Sequence, residues 1–140
     1  TVFHRGPLAS NLSVRQNLAL PLRYHGTRTE AQVREIVRTA LATHGLQHLR
    51  ALRPARLSAA EQRLVALVRA TLAEPELLLL EDPLEGMEEL GTERVLAVIR
   101  PVIEAGAGAL ITTAHGDPAA SHAGAYRSLP GLAVVAEGAR

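Results

Sequence analysis

LLLLEDPLEG, residues 77–86, decides the fold. Four leucines run straight into two acids and then a proline. A short apolar run bounded in this way reads as a buried strand over Leu77–Glu81, although leucine is not a strong strand former. Glu81 and Asp82 then stand at the strand's carboxyl end. Such a pair suits a magnesium ion and a polarised water. The same acids also read as a solvated strand end.

The flanking sequence alternates helices with strands. Thr1–His4 reads as the tail of a strand, and residues 5–12 as a loop holding Gly6 and Pro7. Ser13 caps a short helix that runs to about Arg23, with Pro21 inside it, and Gly26 ends it. Thr29 and Gln32 have capping-box spacing. Val33, Ile36, Val37, Ala40 and Leu41 then form the stripe of an amphipathic helix, and Gly45 stops it. Ser58 and Glu61 repeat the capping box ahead of a helix to about Leu72. Its Leu64, Val65, Leu67 and Val68 are apolar nearly all round, so it should be well buried. After the leucine strand, a helix is predicted from Thr92, bent or shortened at Pro101. A strand follows over Ala109–Thr113, then a brief helix near Asp117. Tyr126–Leu129 and Leu132–Ala136 make a last pair of strands around Pro130-Gly131. The order predicts an α/β fold with a mostly parallel sheet and an all-α insertion before residue 73.

The totals narrow the chemistry. The 140 residues suit one domain, and 47% apolar content supports a core. A net charge of +1 and 2% aromatic residues argue against a nucleic-acid binder. There is no cysteine, so disulfides and thiolate metal sites are excluded. No apolar run approaches the ~18 residues of a membrane span, and a cytoplasmic protein is expected. Thr1 rather than Met opens the chain, as in a piece of a longer or processed product. All 15 basic residues other than histidine are arginine. A phosphate-binding P-loop requires a lysine, which these residues do not supply.

LSAAE at 57–61, LLLLEDP at 77–83, EGME at 85–88 and ITTAH at 111–115 fall in one familiar order. With VFH at 2–4, the chain resembles the nucleotide-binding domain of ATP-binding-cassette (ABC) transporters, from the Q-loop to the carboxyl end. GPLASNLSVRQNLALPLRYHG, residues 6–26, further resembles the phospholipid-trafficking, Mla-type branch. The resemblance implies one partial P-loop NTPase core over residues 1–140. Its helical subdomain covers about 12–72 and the second half of its RecA-like core about 76–140.

Site roles follow from the resemblance position by position. The family's signature serine and glycine amides grip the γ-phosphate of a nucleotide held by the opposite subunit. Ser58 keeps the hydroxyl, but Ala59 and Ala60 replace both glycines, and their methyl groups stand where backbone should approach phosphate. Glu61 replaces a glutamine and places a negative charge beside the anion. That repulsion is on the order of several kcal/mol before screening at an effective dielectric near 20. Ser58 and Glu61 also read simply as a capping box. Glu81 takes the place of the magnesium-ordering aspartate, and Asp82 that of the catalytic glutamate. The two acids are exchanged, so the base retreats from the water by about one methylene. His115 matches the switch histidine, followed by Gly116 where aspartate is usual; it reads equally as loop surface. His4 replaces the Q-loop glutamine, and Glu88 the D-loop aspartate. His44 and His48 have an i, i+4 metal spacing, interrupted by Gly45 and without a companion glutamate. Gly106-Ala107-Gly108 precedes a strand and reads as a helix stop.

The resemblance implies ATP and Mg2+ as cofactors and a transmembrane transporter subunit as partner. It also implies a second ATP-binding subunit or a homo-oligomer, and a place on the inner face of the cell membrane. The expected function is an ATP-binding-cassette subunit of a lipid-related transporter that does not hydrolyse ATP alone. The alternative is a non-catalytic, cassette-derived interaction or regulatory module; an unrelated small α/β protein is the third reading. In the family a phosphate-loop strand separates the switch-histidine strand from the next one. Without it, a rearranged sheet, strand exchange or a partner segment is expected. The coupling helix of the membrane subunit would dock on residues 5–26 and parts of 29–56, near Arg5, Arg15 and Arg23.

Overall fold

Ser13, Thr29 and Ser58 each start a helix, because each hydroxyl accepts a bond from a backbone N–H that has no acceptor within its helix. In the computed structural model, which describes residues 8–24, 26, 28–81, 83–84, 88–112 and 132–134, the three helices are α1 (Val14–Tyr24), α2 (Glu30–Thr43) and α3 (Ala59–Thr71). All three caps are reciprocal. Gln16, Gln32 and Glu61 return a bond from their side chains to the N–H of the capping residue, at 2.8, 2.8 and 2.7 Å. Pro21 does not end α1, which runs on to Tyr24.

Glycine closes two helices in the same way. After α2, Gly45 has φ 66°, its N–H reaches the Ala42 carbonyl at 3.2 Å, and Leu46 N–H reaches Leu41 at 2.8 Å. After α4 (Glu89–Glu104), Gly106 has φ 103°, with bonds from Gly106 to Ile103 and from Ala107 to Val102 at 2.9 and 3.1 Å. Both are Schellman closures that only a left-handed residue permits. Gly106 is thus the helix stop expected from the sequence.

The chain divides into two compact units, one of residues 5–73 and one that includes everything from Glu74 on. In the first unit α1 packs on α2 and on α3. Val14, Leu18 and Leu22 of α1, Val33, Val37 and Leu41 of α2, and Leu64, Val65 and Val68 of α3 are buried. Each such side chain contributes on the order of 1.5–3 kcal/mol of apolar transfer free energy. Arg23 closes the α1–α2 corner. Its Nε and Nη2 donate to the two Glu30 carboxylate oxygens at 2.9 and 2.8 Å. This bidentate bond holds the Glu30 carboxyl below its usual range. Arg23 is therefore engaged inside its own unit.

In the second unit β1 (Leu77–Glu81), β2 (Gly108–Thr112) and β3 (Leu132–Val134) form a parallel sheet in the order β1-β2-β3. Leu78 and Leu80 are buried and Leu77 is 52% exposed, so β1 alternates rather than being buried throughout. The helix predicted from Thr92 begins at Glu89. Thr92 is not a cap but a buried residue whose N–H donates to the Glu88 carbonyl at 3.0 Å. Pro101 lies within α4 without ending it. Val95, Ile99 and Ile103 supply its buried face.

The strand predicted over Ala109–Thr113 is displaced by one residue, to Gly108–Thr112. Leu132–Val134 pairs directly with β2, Ala109 opposite Leu132 and Ile111 opposite Val134. No strand separates the two, so residues 109–111 of β2 have a paired strand on each side. The strand at Tyr126–Leu129, the turn at Pro130-Gly131, the helix near Asp117 and the strand at Thr1–His4 lie outside the described residues.

Candidate functional site

The amino end of α3 is built from a 3-10 turn and a reciprocal cap. Pro54–Arg56 form the turn, Leu57 is buried, and Ser58 has φ −64° and ψ 162°, the extended backbone of a capping residue. Gln62 fastens the turn to the helix: its Nε2 donates to the carbonyls of Pro54 and Leu57 at 3.1 and 3.2 Å. Sequence reading missed this residue. The signal available was an amide beside the capping-box glutamate, too common a pattern to single out.

Both Ser58 donors are directed at one atom. The backbone N–H reaches Glu61 Oε2 at 2.7 Å and the hydroxyl donates to the same oxygen at 2.9 Å. In return the Ser58 hydroxyl oxygen accepts the Glu61 N–H at 3.2 Å. A carboxylate in the first turn also matches the positive end of the helix dipole, adding about 0.3–1 kcal/mol. Glu61 therefore supplies internally the negative charge that a helix start attracts. An outside anion would have to displace it and would meet the exposed methyl groups of Ala59 and Ala60.

The strand end lies in the other unit. Glu81 is the last residue of β1, exposed, and level with Thr112 of β2. Its carboxylate offers the hard oxygen that magnesium prefers. Glu88 precedes the first turn of α4 and makes no side-chain cap bond, leaving it as helix-start charge. Asp82, His115, Gly116 and His4 lie outside the described residues. Among the described residues no group of three or more His, Asp or Glu is placed to hold a metal. His44 and His48 do not share a helix. His44 caps α2, His48 sits in a separate 3-10 turn (Gln47–Leu49), and Gly45 turns the chain between them. Burial keeps the His44 imidazole below its ordinary pKa and so favours the neutral form.

Asn17 is the second residue that sequence reading missed. It is fully buried on the core face of α1. Its Oδ1 accepts the Ala9 N–H at 2.8 Å. Its Nδ2 donates to the carbonyls of Ala9, Leu12 and Ser13 at 3.1, 3.2 and 3.1 Å. One amide thus pins residues 9–13 against the helix that follows. The available signal was its place among Val14, Leu18 and Leu22, where a polar residue needs internal partners.

Residues 1–85 match the family model of the ABC transporter. The chain belongs to the ABC transporter family. Its relatives include the MlaF ATP-binding protein of the intermembrane phospholipid transport system of Haemophilus influenzae. The two are 33% identical over 104 residues, covering 74% of this chain and 39% of MlaF. The LolD ATP-binding protein of the lipoprotein-releasing system of Chromohalobacter salexigens is 32% identical over 121 residues, covering 86% of this chain and 49% of LolD. The fold matches the dimeric ATP-binding cassette MJ0796 in a post-hydrolysis state with ADP and Pi. The TM-score is 0.69 at 22% identity, over 82% of this chain and 51% of the cassette. This ABC chain thus has an α/β cassette fold with a small parallel sheet and a helical unit. It spans less than half the length of these two relatives.

Proposed function

We propose that this chain forms part of an ATP-binding-cassette subunit of a membrane transporter with lipid-related cargo, and that it does not hydrolyse ATP unaided. Family membership supports the first half. The names of MlaF and LolD, phospholipid transport and lipoprotein release, support the cargo. In this reading residues 12–72 are the helical subdomain and 76–140 the second half of a RecA-like core. Glu81 would hold magnesium, Asp82 and His115 would face the reacting phosphate, and Ser58, Ala59, Ala60 and His4 would border the nucleotide. The partners would be a transmembrane subunit and a second ATP-binding subunit or a second copy, on the inner face of the cell membrane. No helix among the described residues is long and apolar enough to cross a membrane.

The observation that carries the second half is the bonding of both Ser58 donors to Glu61. At the magnesium position of this reading, Glu81 supplies one exposed carboxylate oxygen. The start of α3 does not fit a phosphate, because its serine is already bound to a carboxylate, and no hydrolytic step follows from it. Calorimetric titration with Mg-ATP is the test. No heat of binding is expected in the micromolar range, and a micromolar Kd would overturn the reading. The same self-bonded cap favours a second reading, a cassette-derived interaction or regulatory module without catalysis. Affinity purification from detergent-solubilised membranes separates the two. Recovery of a membrane-spanning subunit supports the transporter, and recovery of soluble partners alone supports the module.

A further inference from the structure

We draw no further inference here: the strongest candidate, the apolar groove of about 350 Å3 on the helical unit between α2 and the end of α3, lined by Ile36, Thr39, Ala40, Thr43, His44 and Leu72, is an unpartnered face, and nothing in the structure shows what covers it.

Discussion

Replacing Asn17 with alanine tests how the segment before α1 is held. The substitution removes four hydrogen bonds, but the loss is not four bonds' worth. The Ser13 carbonyl keeps the first bond of α1, from the Asn17 backbone N–H at 2.8 Å, and the Ala9 carbonyl keeps the Leu12 N–H at 3.1 Å. The groups left without these partners are the Ala9 N–H and the Leu12 carbonyl. Each stranded, partly buried group costs about 1–2 kcal/mol, so Asn17→Ala should lose about 2–4 kcal/mol. Urea unfolding followed by circular dichroism should show a lower midpoint with an unchanged m-value. Amide exchange gives the local reading: protection of the Ala9 N–H should fall far more than that of Val37. Asn17→Asp keeps an acceptor for Ala9 but turns three donor contacts into repulsions between oxygens, and should do no better than alanine. A loss below about 0.5 kcal/mol for Asn17→Ala, with Ala9 still protected, would refute the argument.

Glu61→Ala removes the reciprocal bond to Ser58 and should cost about 0.3–1.5 kcal/mol, while Glu61→Gln, which can still accept, should cost less; denaturation midpoints decide. His44 is held below its ordinary value by burial, so the unfolded chain binds the extra proton. Stability should therefore be complete above about pH 6.5 and decline as pH falls through the unfolded pKa towards the folded one, and His44→Gln should flatten that part of the profile. Glu74 has φ 50°, a left-handed conformation in which a side chain is strained, so Glu74→Gly should raise the midpoint by the equivalent of about 0.5 kcal/mol; a clear loss would mean the side-chain contacts of Glu74 outweigh the strain.

The elements set by local chemistry were the legible ones. Thr29 with Gln32, and Ser58 with Glu61, bond within four residues, so spacing alone located the starts of α2 and α3. Gly45 and Gly106 marked helix ends because glycine adopts their left-handed φ values without strain. The start of α4 was misread for the opposite reason. Thr92 has a capping side chain, but the tertiary structure buries it, and the helix extends back to Glu89 without a side-chain cap. The pairing of β2 with β3 joins Ala109 to Leu132, and no neighbouring residue encodes so distant a partner. At the site, the Ser58–Glu61 spacing was visible. Nothing in the spacing gave the rotation of the Ser58 hydroxyl towards the carboxylate. Asn17 and Gln62 were hidden because their partners are backbone groups, whose positions exist only once the chain has folded.

Glu81 and Thr112 finish side by side at the carboxyl ends of neighbouring parallel strands. A strand advances about 3.3 Å per residue and turns its side chains over at each step. Adding one residue to the leucine run would therefore carry the acid past its neighbour's end, removing one would leave it short, and either change would swing Leu78 and Leu80 out of their packed layer. The run works as a ruler: its length sets where the carboxylate emerges, and the core enforces the count.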